Sequence, residues 1–134
     1  MPKILAFTGT RQGMTIPQMS EVAGYLVLHP EFDEYHHGGC VGADARFHQM
    51  VIELMEEYEL HIHWSDIPGL HMSHPRNAVQ HEAKRPLLRN RDMADIANTL
   101  LATPKEADEI TRSGTWATIR YARKAGAEVI IFAP

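Results

Sequence analysis

The chain carries a single cysteine, Cys40, among its 134 residues. One thiol excludes an intrachain disulfide and fits a reducing compartment, where a lone cysteine serves as small buried filler. No apolar run is long enough to cross a bilayer as a helix. The opening Met1-Pro2-Lys3-Ile4-Leu5 lacks the layout of a leader peptide, so the expected location is cytoplasmic. Positive charge is not in excess either. Thirteen Lys and Arg face seventeen Asp and Glu, a net charge of −4. Such a balance supplies no basic field for nucleic acid or an anionic membrane, and neither is an expected partner. Repeats, low-complexity tracts and linkers are also missing, which leaves one domain over 1–134.

Two common phosphate fingerprints are absent. No G-x-x-x-x-G-K-[ST] occurs, and the first glycine turn reads Gly9-Thr10-Arg11-Gln12-Gly13 rather than G-x-G-x-x-G. A metal set is not apparent, although nine histidines are present. His61-x-His63 shares one face of a strand, and His71-x-x-His74 would bite an ion if helical. No cysteine pair or carboxylate motif completes either. The reading therefore assigns no metal and no cofactor.

What is present is an alternation of apolar runs and helical stripes. Lys3–Thr8 is a short apolar run that stops at Gly9, as a buried parallel strand does. Pro17 suits the first turn of a helix whose stripe is Met19, Val22, Ala23, Leu26 and Val27. Asp33–His37 is a weaker strand. Phe47, Val51, Leu54, Met55 and Tyr58 recur at helical spacing, and Leu60–Trp64 is a short third strand. Residues 66–85 show no period and read as a functional loop, with a short helix around 77–83. Pro86 opens a helix through Ala97. Thr99–Ala102 is a fourth strand, a helix follows from Trp116 to Gly126, and Glu128–Ala133 is a fifth strand. Strands alternating with helices predict a three-layer α/β fold: a Rossmann-like parallel sheet of about five strands with helices on both faces.

In such a sheet the strand-to-helix turns gather at the carboxyl ends of the strands, where ligands bind. Three turns there combine glycine with polar partners: Gly9-Thr10-Arg11, Gly38-Gly39-Cys40-Val41-Gly42-Ala43-Asp44, and Arg112-Ser113-Gly114-Thr115-Trp116. Glycine permits close backbone approach, hydroxyls donate, and free N–H groups at a helix start attract an anion. Ser113 and Thr115 equally fit an ordinary helix cap. His37 could touch a ligand or pack, and Trp116 could stack on a base, though packing is its simpler role. Arg89 and Arg91 lie two apart on a helix, so only one of them can face a pocket.

These segments, in order, resemble the SLOG superfamily of Rossmann-like proteins across nearly the whole chain. Phe7-Thr8-Gly9-Thr10-Arg11 resembles its first-strand turn. His37–Asp44 is similar to the second turn in DNA-processing protein A. Arg89-Asn90-Arg91-Asp92-Met93 resembles the family's arginine segment, and Arg112–Arg120 its last phosphate-binding turn and helix. The resemblance implies binding of a nucleotide-derived ligand, an ADP-ribose-like signal or a nucleoside phosphate, and a homo-oligomer. The implied ligand-binding residues are Gly9, Thr10, Arg11, Gly38, Gly39, Gly42, Asp44, Arg89, Arg91, Ser113, Gly114 and Thr115. The lonely-guy branch hydrolyses nucleoside monophosphates at the glycosidic bond, with a glutamate four residues after a glycine of its last turn. Thr118 stands at that position here, and a threonine cannot do a carboxylate's work. Asp44 and Arg91 are the candidates for replacing it. A protein–protein module with merely structural glycines is the remaining alternative.

Overall fold

The computed structural model describes residues 1–134. At its centre lies strand β1 (Ile4–Gly9), which pairs in parallel with β2 (Glu34–His37) on one side and β5 (Thr99–Thr103) on the other. Strands β3 (Glu59–Ser65) and β4 (Val79–Lys84) extend the β2 side, and β6 (Glu128–Ile131) extends the β5 side. The order is β4-β3-β2-β1-β5-β6, and every pairing is parallel. A strand covered on both faces must be apolar on both, which explains why Leu5, Ala6 and Phe7 are all fully buried.

Two helices cover each face. On one, α1 (Ile16–Leu28) and α2 (Ala43–Leu54) pack Val22, Leu26, Phe47 and Val51 onto Leu5, Phe7, Tyr35 and Leu60. The rings of Phe7 and Phe47 stack at 4.4 Å. On the other, α3 (Pro86–Ile96) and α4 (Gly114–Ala125) set Met93, Ala94, Trp116, Ile119 and Ala122 against Ala6, Leu100 and Ala102. Local chemistry fixes the helix ends. Thr15 and Gln18 form a reciprocal capping box with Pro17 in the first turn. Gly126, at φ 90°, ends α4 in the left-handed region that favours glycine. Helix α2 stops at Leu54, so Tyr58 of the apparent stripe lies beyond it.

The sheet has six strands where the sequence predicts about five. Residues 79–84 form β4 rather than part of a loop or a short helix. Its sequence, Val-Gln-His-Glu-Ala-Lys, is polar and exposed along most of its length. An edge strand needs no apolar face, and Glu82 and Lys84 protect an open edge from pairing with another chain. Its ladder to β3 and the bond from Asp66 N–H to the Lys84 carbonyl hold it. The crossover from β3 to β4 contains only a 3₁₀ turn, Pro68–Leu70. No helix in the structure is long and apolar enough to cross a membrane.

Candidate functional site

The strand order reverses at β1, whose neighbours β2 and β5 lead their chains in opposite directions along the sheet. Outside the carboxyl ends of these three strands, the following turns diverge and leave a cleft. A cavity of about 420 Å³ occupies that cleft. Thr8, Gly9, Thr10 and Arg11 form its floor, Gly38 and Asp44 one wall, and Arg112, Ser113, Gly114 and Thr115 the opposite wall. Arg89 and Asn90 from α3 close the back, and Leu70 of the β3–β4 crossover reaches the rim.

Most of the residues anticipated from the sequence thus line one cavity, and three do not. Gly39 and Gly42 have φ of 67° and 88°, and a Cβ on Gly42 would collide with the Arg11 carbonyl. These two shape the turn between β2 and α2 and leave the ligand-facing surface to Gly38 and Asp44. Arg91 lies on a different face of α3, its guanidinium 4.8 Å over the Tyr121 ring. Two positions along a helix differ by about 200°, so Arg89 entering the cavity directs Arg91 away from it. Arg91 is therefore not placed to act on a ligand there.

Arg89 is the organising side chain. It is 7% exposed, and its Nη1 donates to the carbonyls of Gly38 and of His63 (3.1 Å to the latter). Its Nη2 lies 3.7 Å from Cys40 Sγ. Its Nε is buried without a protein partner, as is Asp44 Oδ1. Buried polar atoms are nearly always paired, so this donor and acceptor, just beneath the cavity surface, are exceptions that a small side-chain shift would expose to a polar partner. Asp44 Oδ2 accepts from the Cys40 N–H at 3.2 Å. Burial pushes the Asp44 carboxyl up to about 6, against the opposing pull of the Arg89 charge and of backbone N–H groups. Burial likewise raises the Cys40 thiol, so this cysteine is not an activated nucleophile.

The third turn is a helix cap that also lines the cavity. Ser113 caps α4, its Oγ accepting from Trp116 N–H at 3.2 Å. The first bond of the helix runs from Ala117 N–H to the Ser113 carbonyl, so the N–H groups of Gly114 and Thr115 precede the ladder. A Cβ on Gly114 would meet only Asn90 Nδ2, at 3.8 Å. Glycine here is not required by the protein's own packing, and the room it leaves belongs to the cavity. Thr118 is fully buried and donates back to the Gly114 carbonyl at 2.9 Å, so no acid-base group projects from that turn. Trp116 packs in the core under the sheet.

His37 also packs. It is fully buried, accepts from Gly39 N–H at 3.0 Å, and shares a 2.8 Å contact with His48. His71 and His74 lie against Trp64, whose ring stacks on His74 at 3.9 Å. The crossover carrying them joins the second turn through Met72 N–H to Gly39 carbonyl and Val41 N–H to Leu70 carbonyl. Sequence reasoning passed over Asn90, Lys105 and Glu106, all of which line the cavity. The signal for the last two was positional: the polar stretch after β5 had to leave from the same sheet edge. With Arg11, Arg89, Lys105 and Arg112 against Asp44 and Glu106, cations outnumber carboxylates in the lining. The N-termini of α2 and α4 add partial positive charge at the same place.

A parallel sheet reversing at β1, with helices on both faces and glycine turns around the reversal, is a Rossmann-like fold. No family model matches the sequence, and no curated protein matches it. Solved structures share the fold. The molybdenum cofactor binding protein from the phototrophic bacterium Rippkaea orientalis superposes over 100% of this chain and 78% of its own, with TM-score 0.69 and 15% identity. DNA processing protein A from Streptococcus pneumoniae matches 98% of this chain with TM-score 0.68 and 16% identity, and this chain spans 50% of that protein. The molybdenum cofactor carrier protein from Chlamydomonas reinhardtii matches 98% of this chain and 76% of its own, with TM-score 0.63 and 17% identity.

Proposed function

We propose that the chain binds a nucleotide-derived small molecule, an ADP-ribose-like signal or a nucleoside phosphate, in the cavity at the carboxyl edge of the sheet. The observation that carries this reading is a pocket with cations in excess, walled by two helix N-termini and containing a buried, unpartnered arginine nitrogen. Phosphate oxygens suit the Ser113–Thr115 turn and Arg89, and a ribose hydroxyl suits Asp44 Oδ1. In this reading the protein senses or sequesters its ligand. The fold it shares with proteins named for binding or carrying the molybdenum cofactor adds that cofactor to the ligands to test. The resemblance implies a homo-oligomer, which light scattering during size exclusion measures.

Calorimetric titration with ADP-ribose, AMP, NAD and cyclic nucleotides tests the pocket, alongside mass spectrometry of small molecules retained through purification. Binding that is lost on Arg89→Ala or weakened by Arg112→Ala supports the assignment. A folded protein that binds none of them overturns it.

A second reading, hydrolysis of a nucleoside monophosphate at its glycosidic bond, is favoured by one observation. Asp44, with a carboxyl near 6 and an unpartnered oxygen, is suited to hold or accept a proton near neutral pH. Base release from AMP that disappears in Asp44→Asn supports this reading, and the absence of turnover at high protein concentration leaves binding alone.

A further inference from the structure

Four of the nine histidines meet on the α3 side of the sheet, away from the cavity just described. The alternation of strand side chains puts His61 and His63 on one face of β3. The parallel register then sets His36 of β2 opposite His61, and His81 of β4 opposite His63. The result is a two-by-two array of imidazoles across three strands. His36 stacks on His61 with ring centroids 4.1 Å apart, and His63 on His81 at 4.0 Å, both pairs nearly parallel at 8°. His36 Nδ1 and His63 Nε2 are 2.7 Å apart. One ring nitrogen from each of His36, His63 and His81 lies within 4.8 Å of the other two.

The geometry points to a divalent transition-metal site, of the zinc type, held by His36, His63 and His81. Tetrahedral nitrogen ligands about 2.0–2.1 Å from an ion are about 3.3 Å from one another, so closing on the ion needs side-chain shifts of roughly an ångström and a rotation that takes the His81 ring out of its parallel stack on His63. The ion takes the place of the His36–His63 hydrogen bond, and the His63 proton passes to the ring's other nitrogen. Glu34 Oε1 accepts from His36 Nε2 at 2.8 Å, which directs Nδ1 toward the ion as carboxylates do for metal-binding histidines elsewhere. Glu34 Oε1 also lies 3.3 Å from His61 Nε2, and Glu59 Oε1 lies 2.6 Å from the same nitrogen. The array is not sealed. His63 and His81 line a second cavity, of about 510 Å³, whose walls bear Glu82, Asp92 and Asp95 as well as Lys84 and Arg89. Carboxylates outnumber cations there, which favours the arrival of a cation. The sheet face beneath α3 elsewhere carries Ala6, Leu100 and Ala102. Four imidazoles with carboxylate partners are not what core packing alone selects on such a face.

The test uses the untagged chain, stripped of metal by a chelator and titrated with Zn²⁺ by calorimetry and with Co²⁺ by visible absorption. One ion per chain and the intense absorption of four-coordinate Co²⁺ are expected. His81 is partly exposed on an edge strand, so His81→Gln should leave folding intact while weakening Zn²⁺ at least about tenfold and changing the Co²⁺ spectrum. Glu34→Gln provides a milder second variant with the same direction. An apoprotein that takes up no ion overturns the site. So does binding that survives His81→Gln unchanged, or that is lost instead in a His71→Ala/His74→Ala double variant.

Discussion

Gly114 separates a ligand-shaped role from a structural one more cleanly than any charged residue in the cavity. Its α-hydrogen faces open space, with the nearest atom to an added Cβ at 3.8 Å. Alanine at the first position of α4 is compatible with helix geometry and lowers the entropy of the unfolded chain. Gly114→Ala should therefore leave thermal stability unchanged or slightly raised, while weakening nucleotide binding by roughly tenfold, about 1.4 kcal/mol. Equal affinity in the variant, read by calorimetry, would show that the turn is only a cap. Asp44 makes a second test at this scale, through pH. Its carboxyl ordinarily titrates at 3.8 and is raised here to about 6. The folded state thus holds this proton more tightly than the unfolded chain does. The charged form costs stability above pH 6, and the cost fades as pH falls through 6 toward 3.8. The same protonation removes a negative charge from the pocket. Affinity for a nucleotide phosphate should rise between pH 7.5 and 5.5, and Asp44→Asn should flatten that rise. A slope that persists in the variant would assign it to another group.

Among the elements, the β5 and β6 ends are joined by one side chain of α1. Gln18 is 1% exposed and donates from Nε2 to the carbonyls of Pro104 (2.9 Å) and Phe132 (2.8 Å). Its Oε1 accepts from Thr15 N–H at 2.9 Å in the capping box. Gln18→Ala should cost about 2 kcal/mol in urea denaturation, because it strands one buried and one part-buried carbonyl and half of a cap. An effect within a few tenths of a kcal/mol would mean that water replaces the amide. What could be read from the sequence is local: Pro17, Pro86, Gly126 and the apolar runs of β1 and β5. The five elements they announce are where the sequence places them. Strand β4 is long-range in origin: its residues carry no alternating apolar pattern, and only the exposed edge of β3 makes them a strand. The site divides in the same way. Strand-to-helix turns are local, so the three glycine turns were visible, as was the inference that Arg89 or Arg91, but not both, could face the ligand. Which one does depends on the packing phase of α3, which Met93 and Ala94 set against the sheet. The array of His36, His61, His63 and His81 depends on strand register, and only the His61–His63 half of it could be read along the chain.

Across the whole molecule, the two cavities are not independent, because Arg89 forms part of both linings. One guanidinium bonds the carbonyl of Gly38 on the first cavity's wall and that of His63, whose ring belongs to the second. A phosphate that draws Arg89 forward loosens its hold on the His63 carbonyl and relieves a positive charge near the imidazoles. An ion bound by the imidazoles pushes the same guanidinium toward the phosphate. Such a coupling is a free energy shared by two sites, and it is reciprocal: whatever factor the phosphate ligand imposes on Zn²⁺ affinity, Zn²⁺ must impose on the ligand. Zinc titrations with and without saturating nucleotide should differ by several-fold, and the difference should shrink in Arg89→Lys, which loses the planar fork and with it the Nε and Nη2 groups. Identical zinc affinities in the two titrations would leave two separate sites on one sheet. A difference would make the chain a two-input device, whose occupancy by a nucleotide reports on metal availability and whose metal content reports on the nucleotide.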